Sequence, residues 1–452
     1  MLRSRIKVCV ASAIASLFIL CATFGFAQDI ESKVDEYINV HMKMGNFSGS
    51  VLIAKEGKIL VSKGHGMANY ELDVPNTPQT KFRLGSVTKQ FTAMAIMQLQ
   101  EKGLLSVDDP IEKYLPDYPN GEKITVHHLL THTSGIPNLT DFPDFLETMM
   151  IPSPVEKTIE RFKNKPLEFV PGEKFSYSNS GYVLLGYLIE KISGKSYEAF
   201  LNENIFQPLN MTNSGYDHNS TILKHRASGY ALGVDGLINA SYIDMSLPIG
   251  GGALYSTVED LYLWDRALYT EKLVSKNTLE KMFTPFKENY AYGWSITELF
   301  NRKRISHSGG INGFAANISR CVDDDVCIIV LSNFEYAPVG EISKDLAAIV
   351  FGEKYELPQE RKVVEVDPKI YDAYVGQYQL DTNFVISITK EDNRLFAQAT
   401  GQPKFEIFSE SEVKFFLKVV DAQITFIKND KGEVIELILH QNGKDHSAKK
   451  IE

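Results

Sequence analysis

Strand-like sequence lies at both ends of roughly the first 350 residues, and the stretch between these ends is helical. Apolar runs at residues 50–54 and 59–62 flank a short polar turn, which indicates a hairpin. Apolar strand patterns return much later, at residues 292–296, 305–307, 315–319 and 327–331. This order predicts an α/β (α+β) fold, in which one antiparallel sheet is assembled from both ends and has a large helical insertion.

The last part of the chain has a different pattern. A charged, proline-containing linker is expected at residues 355–366, and beyond it apolar and polar residues alternate. The alternating apolar residues are Phe384, Ile386, Ile388, Phe405, Ile407, Phe416, Ile424, Phe426, Leu437 and Leu439. Turn signals such as Asn442-Gly443 separate these runs, as in a small barrel. We predict a first domain over residues 28–354 and a small all-β barrel over residues 367–452.

Residues 1–27 have the features of a signal peptide. Three cationic residues within the first seven precede 20 uncharged residues, and small residues at 25 and 27 offer a cleavage site. We expect cleavage before Gln28, no membrane span after cleavage, and a secreted or periplasmic protein. A retained N-terminal membrane anchor is the alternative, since 20 uncharged residues can cross a bilayer.

The net charge limits the classes of partner. The chain has 47 Lys+Arg against 57 Asp+Glu, so its formal charge is −10, and removing the three cationic residues of the signal peptide makes it −13. A surplus of negative charge disfavours binding to a phosphate backbone. We therefore expect no nucleic-acid partner.

Two cysteines, Cys321 and Cys327, remain after signal cleavage. They flank an acidic turn between two strand patterns, so they would lie in neighbouring strands of a hairpin. An exported protein meets an oxidising compartment, where a disulfide is a reasonable hypothesis. Two free thiols are the equal alternative, because the register of the hairpin is not visible in the sequence.

Three histidines lie close together at His127, His128 and His132. On a helix His128 and His132 would share one face, but the glutamate and the third ligand of a zinc-protease motif are missing. We expect structural histidines, no metal site and no other cofactor. The triplet Gly250–Gly252 lacks the Lys-Ser/Thr of a phosphate-binding loop, and we interpret it as a tight turn or a close backbone approach.

Serine followed three residues later by lysine can form a nucleophile and base pair. The pattern begins at Ser4, Ser86, Ser387, Ser411 and Ser447. Only Ser86 opens a long helical pattern, where Lys89 falls one turn later on the same face. The G-x-S-x-G motif of α/β-hydrolases is absent from the sequence, which disfavours that fold.

A helix start at Ser86 gives this pair useful chemistry. Helix N-terminal amides have a partial positive charge, so the Ser86 N–H can stabilise a developing oxyanion. The same charge, together with burial, disfavours the ammonium form of Lys89 and moves its pKa toward that of a usable base. A serine needs such a neighbour to become a nucleophile. Without further context, a capping serine followed by an exposed lysine is the commoner arrangement.

Four short stretches supply that context. They are Phe82–Lys89, Ile124–Ile136, Tyr177–Asn179 and His307–Gly310, in this order. Together they resemble the serine β-lactamase and penicillin-binding protein superfamily, in the branch of class C β-lactamases, DD-peptidases and related esterases. The resemblance extends from about residue 31 to about residue 350. It implies a β-lactamase/transpeptidase-like fold, and the C-terminal region resembles the lipocalin-like barrel found fused to some members.

The resemblance implies roles for the first three stretches. Ser86 would be the acylated nucleophile, and Lys89 would assist its deprotonation. Tyr177 would be a second general base that shuttles the proton to the leaving group and activates water. Asn179 would orient Lys89 and hydrogen-bond a substrate amide.

The last stretch would form the opposite wall of the site. His307, Ser308 and Gly309 would bind or orient the substrate, with His307 reaching the Tyr177 oxygen or a substrate carboxylate. The N–H groups of Ser86 and Gly310 would form the oxyanion hole. Efficient β-lactamases of this branch usually have lysine at the position of His307, whereas histidine is common in DD-peptidases, D-amino-acid peptidases and esterases.

The resemblance thus implies a serine hydrolase that acts through an acyl-enzyme on small amides or esters. Peptides of D-amino acids, including peptidoglycan-derived ones, are the leading substrates, with DD-carboxypeptidase or D-aminopeptidase activity. A β-lactamase is an alternative, and a non-catalytic penicillin- or peptidoglycan-binding module is an alternative of another class. Specificity is expected in loops at residues 138–160 and 210–250. The oligomeric state is open.

Overall fold

A computed structural model of the protein describes residues 28–233, 236–358, 361–381, 384–402, 404–418, 422–441 and 444–451. The predicted signal peptide and the predicted Asn442-Gly443 turn lie outside these residues. The chain divides into two compact units with a boundary between Leu357 and Pro358, and the segment Leu232–Ile238 groups with the second unit.

The helices precede the boundary. They are 28–43 (α1), Thr88–Glu101 (α2), Val126–Leu130 (α3), Phe145–Thr148 (α4), Val155–Lys163 (α5), Asn179–Ser193 (α6), Tyr197–Leu201 (α7), Gln207–Leu209 (α8), Val258–Ala267 (α9), Lys276–Met282 (α10) and Val339–Phe351 (α11). Shorter helical turns are Gly85–Val87, Ile111–Lys113, Leu139–Asp141, Asn202–Phe206 and Val322–Asp324. In the described residues no helix is both long and apolar enough to cross a membrane.

Strands occur before and after this helical region. Before the boundary they are Gly49–Lys55 (β1), Lys58–His65 (β2), Met67–Asn69 (β3), Val74–Pro75 (β4), Phe82–Arg83 (β5), Gly215–Tyr216 (β6), Tyr230–Gly233 (β7), Gly236–Asn239 (β8), Leu254–Ser256 (β9), Ser295–Leu299 (β10), Arg302–Ile311 (β11), Phe314–Cys321 (β12) and Val326–Ser332 (β13). Six of them form one sheet in the order β10-β11-β12-β13-β1-β2.

The sheet joins distant parts of the sequence. Strand β1 pairs antiparallel with β13, so that Val51 lies opposite Val330, and every other neighbouring pair is antiparallel too. Helices α2 to α10 fall between β2 and β10 in the sequence. The predicted α/β sheet assembled from both ends, with a helical insertion, is therefore confirmed.

The β1–β2 hairpin shows how the local sequence forms the sheet. Its two turn residues, Glu56 and Gly57, both have positive φ, at 50° and 71°. A two-residue turn of this kind matches the right-handed twist of the strands that it joins. The pattern Lys-Glu-Gly-Lys between two apolar runs therefore gives the tight hairpin that the sequence predicts.

Both faces of the sheet are buried, because successive side chains of a strand point to opposite sides. Leu52 and Ile329 face a large core that includes α2 and α6. Val51 and Val330 face a second core formed with α1 and α11. Two-sided burial explains why the strands are continuous apolar runs and not alternating ones.

Helix α2 runs through the middle of the first core. The predicted helix from Ser86 to Lys102 begins with the 3₁₀ turn Gly85–Val87 and continues as α2. Its residues from Thr88 to Leu99 are all buried. Gly103, with φ of 69°, ends it in the left-handed conformation that favours glycine.

Of the two alternatives left open for Cys321 and Cys327, the structure has the two free thiols, and the possible disulfide is wrong. Cys321 and Cys327 lie in the β12–β13 hairpin as expected, and both are free and buried. The register places Cys327 opposite Arg320 and Cys321 opposite Val326. The two thiols therefore point to opposite faces of the sheet, where Cys327 packs in the α2 core and Cys321 in the α1 core.

The second unit contains a closed barrel. After the 3₁₀ turn Pro368–Ala373 its strands are Gly376–Asp381 (β14), Phe384–Glu391 (β15), Arg394–Ala399 (β16), Lys404–Ser409 (β17), Lys414–Leu417 (β18), Ala422–Lys428 (β19), Val434–Gln441 (β20) and Lys444–Lys450 (β21). They pair in sequence order, and β14 closes on β21. The predicted all-β barrel is confirmed.

The inside of the barrel is a packed core. Ile386, Ile388 and Ile407, which the alternation marks as apolar, are buried in it. Tyr374 stacks on Phe426 with ring centroids 4.2 Å apart. In β18 Phe415 enters the core, whereas Phe416, which the alternation selects, packs against Phe408.

Candidate active site

A cavity of about 160 Å³ lies where the starts of α2 and α6 approach strand β11. Ser86, Asn179, Gly251 and Gly310 line one side of it. Three of the four stretches singled out in the sequence therefore contribute to this cavity, together with the glycine triplet.

Ser86 sits on the 3₁₀ turn before α2, partly exposed, while Lys89 one turn later is completely buried. The Lys89 Nζ donates to Ser86 Oγ at 3.0 Å, to Asn179 Oδ1 at 2.9 Å and to the Gly251 carbonyl at 2.9 Å. The amine thus has three oxygen neighbours, and Ser86 is the only one of these three that can also donate a proton.

Burial changes the protonation of Lys89. Removing an ammonium group from water disfavours its charged form, and this lowers the pKa of Lys89 to about 7. The amine also lies 4.9 Å from the ring centroid of Tyr177 and 5.3 Å from that of Tyr182. At neutral pH both the amine and the ammonium forms are therefore populated, as a general base requires.

Asn179 is fixed at the first residue of α6. Its backbone N–H donates to Asn138 Oδ1 at 2.9 Å, and its Nδ2 donates to Thr140 Oγ1 at 3.3 Å. The side-chain oxygen is therefore turned toward Lys89, in agreement with the orienting role that the resemblance implies.

Tyr177 lies beside the nucleophile. Burial raises its pKa, although a hydrogen bond with the Ser86 side chain opposes this. Its ring packs on His132 with centroids 4.1 Å apart, and His132 Nδ1 accepts from the Ser178 N–H at 3.1 Å. His132 thus holds the Tyr177-Ser178 backbone, and Tyr177 rests as a neutral phenol.

Two glycines, Gly85 and Gly309, allow β11 to lie directly against the Ser86 turn. A Cβ on Gly309 would lie 2.0 Å from the Leu84 carbonyl oxygen and 2.9 Å from the Ser86 nitrogen. Gly85, with φ of 50°, faces the backbone of Gly310 in the same way. Ser86 and Gly310 both line the cavity, which is the location that the predicted oxyanion hole needs. Gly309 acts through this packing and does not line the cavity.

His307 is buried next to Tyr290. Its Nδ1 lies 2.5 Å from the Ser308 carbonyl oxygen, and its Nε2 lies 2.9 Å from the Tyr290 hydroxyl. A ring nitrogen that faces a carbonyl must have the proton, so Nδ1 donates and Nε2 accepts from Tyr290. Burial, assisted by the charge of Lys89, lowers the pKa of His307 to about 4. His307 is therefore neutral. Its Nε2 is bound to Tyr290, so this nitrogen is not free to reach Tyr177 or a substrate carboxylate, the partners expected for His307.

Ser308 is exposed and does not line the cavity. Its Oγ accepts from Asn317 Nδ2 at 2.8 Å in the neighbouring strand β12. Its contact with a substrate stays a prediction.

The other two histidines of the cluster form hydrogen bonds with groups of the same chain. His127 Nδ1 lies 2.7 Å from the Tyr292 hydroxyl, and His128 Nδ1 accepts from the Thr125 N–H at 3.2 Å at the start of α3. The expectation that His128 and His132 share a helix face is wrong, because α3 ends at Leu130 and His132 has φ of 56°. Among the described residues no group of three or more His, Cys, Asp or Glu side chains could hold a metal ion.

Sequence reasoning missed two contributors to the site. Tyr290, the hydrogen-bond partner of His307, lies in a loop before β10 and belongs to no recognised motif. The role of the Gly251 carbonyl was also missed, although the triplet was interpreted as a close backbone approach. That interpretation agrees with the structure, since Gly250 has φ of 71° and a Cβ on it would lie 2.2 Å from the Tyr182 carbonyl oxygen.

The cavity walls come from both segments expected to set specificity. Leu139, Thr140 and Phe145 come from residues 138–160, and Ile243 and Leu247 come from residues 210–250. These loops therefore lie next to the nucleophile.

A serine hydroxyl, a buried amine of lowered pKa and two backbone N–H groups at one cavity are the parts needed for acyl transfer. The fold and the site define a serine hydrolase. A protein-family model described as Beta-lactamase matches residues 34–351, and a domain of unknown function matches residues 360–450. The chain belongs to the β-lactamase family.

Comparisons with individual proteins agree with this family. The chain is 33% identical over 431 residues to penicillin-binding protein 4* of Bacillus subtilis (strain 168), covering 89% of this chain and 94% of that protein. The octameric penicillin-binding protein homologue from Pyrococcus abyssi has a TM-score of 0.67 and 30% identity, over 92% of this chain and 99% of that one. A D-stereospecific amidohydrolase from Streptomyces sp. shares the fold, with a TM-score of 0.62 and 24% identity over 72% and 99% of the two chains.

We expect acylation of the enzyme to depend on pH through Lys89. The free amine is the base, so the acylation rate should rise about tenfold per unit at low pH and level off above its pKa of about 7. Stopped-flow acylation by a chromogenic ester between about pH 5 and about pH 9 measures this. Lys89→Arg, which stays charged, should remove the rise. A rise that continues toward the ordinary lysine pKa of 10.5 would contradict it.

Proposed function

We propose that the protein hydrolyses small amides, peptides or esters of D-amino acids through an acyl-enzyme on Ser86. The observation that supports this most strongly is the buried Lys89 amine, 3.0 Å from the Ser86 hydroxyl. A fully buried lysine, whose pKa is lowered by its removal from solvent, is suited to accept a proton.

The neighbours of Lys89 indicate how acylation proceeds. In the amine form two N–H groups stay on Asn179 Oδ1 and the Gly251 carbonyl, and the lone pair faces Ser86 Oγ. The Ser86 proton moves to Nζ while Oγ attacks the substrate carbonyl. The N–H groups of Ser86 and Gly310 stabilise the resulting oxyanion, and removing one such donor typically costs about 10² to 10³ in rate.

Tyr177 supplies the proton for the leaving group. Because its pKa is raised, the phenol is its resting form, and a phenol donates. In our proposal Tyr177 protonates the leaving nitrogen or oxygen and regains a proton from the Lys89 ammonium. Lys89, again an amine, then takes a proton from the water that attacks the acyl-enzyme, and it returns this proton to Ser86 Oγ as the acyl bond breaks. The net result is hydrolysis with every group restored.

The structural neighbours favour D-amino-acid substrates. They include the D-stereospecific amidohydrolase and the D-amino acid amidase from Ochrobactrum anthropi, although at 24% and 23% identity they share the fold only. The neutral His307, in place of the usual lysine, makes an efficient β-lactamase the weaker alternative.

The nucleophile can be tested with a fluorescent fluorophosphonate. We expect covalent labelling of the protein, and its loss in Ser86→Ala, because the Ser86 hydroxyl lies 3.0 Å from the buried Lys89 amine that activates it. Ser387→Ala is the matched control, since it has the same S-x-x-K spacing but lies in barrel strand β15. Equal labelling of Ser86→Ala would refute the role of Ser86. Labelling with no turnover of D-amino-acid amides or esters would favour a binding module.

We also infer that the protein is exported and cleaved. The cationic start, the 20 uncharged residues and the small residues before Gln28 support this. Expression of the full chain in a bacterial host, followed by N-terminal sequencing, should give a chain that starts at Gln28 in the exported fraction. A matched chain lacking residues 2–27 should stay in the cytoplasm. An intact N-terminus in the membrane fraction would show the anchor instead.

A further inference from the structure

The cavity has an apolar wall. Its side chains are Leu139, Phe145, Val183, Ile243, Leu247 and Ile311. Four of them are at most 5% exposed, whereas Phe145 and Ile311 are partly exposed at the cavity surface. A substrate group that enters beside Ser86 therefore meets a surface of branched and aromatic carbon.

The residues packed behind this apolar wall hold it in place. Ile243 and Leu247 pack with Met149, Met245 and Ala253 in a small core of their own, against which Phe145 and Ile311 also lie. The Leu139 N–H donates to Ser180 Oγ at 2.9 Å, which ties this part of the wall to helix α6. The apolar surface is thus formed before any substrate binds, and an apolar group gains most from such a preformed wall.

The cavity has no charged lining. Its polar side chains are Ser86, Thr140, Asn179 and Asn312, so none of the described residues that line it has an ionisable carboxylate, ammonium or guanidinium group. Lys89 lies beneath the cavity, and Ser86, Asn179 and Gly251 occupy its amine. A charged substrate group placed against this wall would lose its water without gaining a partner.

His307, the strand residue from which a family member would present a cation, does not supply one either. Both of its ring nitrogens are engaged, Nδ1 with the Ser308 carbonyl and Nε2 with the Tyr290 hydroxyl. It has neither a free N–H nor a positive charge to offer a carboxylate. Tyr290 occupies the Nε2 nitrogen, which would otherwise be free.

We propose that the preferred substrates are amides or esters with a bulky apolar side chain on the acyl group and no free carboxylate on the leaving group. This rests on the proposed acyl-enzyme at Ser86 and narrows it from peptidases in general. The enzyme is an amidase or esterase, and not a carboxypeptidase. A β-lactam with a free carboxylate is a poor substrate for the same reason.

Two pairs of substrates test the proposal through kcat/KM. D-phenylalanine amide should exceed D-alanine amide by at least about 10-fold, the lower end of what one methylene gives in an apolar pocket. An N-acetylated dipeptide of D-phenylalanine and D-alanine with a C-terminal amide should exceed the same dipeptide with a free carboxylate by a similar factor. Equal values within either pair would overturn the proposal.

Variants at the apolar wall provide a second test of the proposal. Phe145→Ala should lower kcat/KM for the D-phenylalanine amide more than for the D-alanine amide, whereas Leu146→Ala, at an exposed neighbour, should change neither. Ile311→Lys places a cation at the partly exposed edge and should reduce the preference for the C-terminal amide by at least about 10-fold. An unchanged preference in a folded Ile311→Lys variant would overturn the proposal.

Fluorophosphonate labelling of each variant distinguishes a failure of this inference from a failure of the proposed function. If the protein is labelled but shows neither substrate preference, only this inference is refuted. Absence of Ser86-dependent labelling in the unchanged protein would remove the proposed function, and this inference with it. Intensity from the two tryptophans, Trp264 and Trp294, both fully buried in the first unit, shows whether each variant is folded.

Discussion

The site depends on one buried amine. Lys89 is completely enclosed, and the loss of water lowers its pKa to about 7. Two fixed acceptors, Asn179 Oδ1 and the Gly251 carbonyl, hold two of its positions and leave the third for Ser86. The base strength and the direction of proton transfer therefore both follow from how the chain surrounds this side chain.

The fold supplies that enclosure from distant parts of the sequence. Helix α2 places Lys89 in the main core, α6 brings Asn179, and the glycine triplet brings a bare carbonyl. Strand β11 approaches the Ser86 turn only because Gly85 and Gly309 have no side chains in the way. The sheet joins the first hairpin to the last strands of the unit, so the site forms only when both ends have come together.

Much of this could be predicted from residue patterns. Apolar periodicity gave the sheet, the α2 helix and the barrel, and the four motifs identified Ser86, Lys89, Asn179 and Gly310, which the structure brings together. Register could not be predicted, because a shift of one residue reverses every side chain of a strand. That is why Cys321 and Cys327 face apart and Phe415 replaces Phe416 in the barrel core. Tyr290 was missed since its pairing with His307 arises only in three dimensions.

Titration of the Lys89 amine by NMR tests the central claim most directly. In protein labelled with ¹³C at lysine Cε, the Lys89 signal is assigned by its absence from the Lys89→Arg variant. A midpoint of about 7 is the result that this account predicts for the buried amine. A midpoint near the ordinary value of 10.5 would show that Lys89 is a permanent cation at neutral pH and is not the base for Ser86.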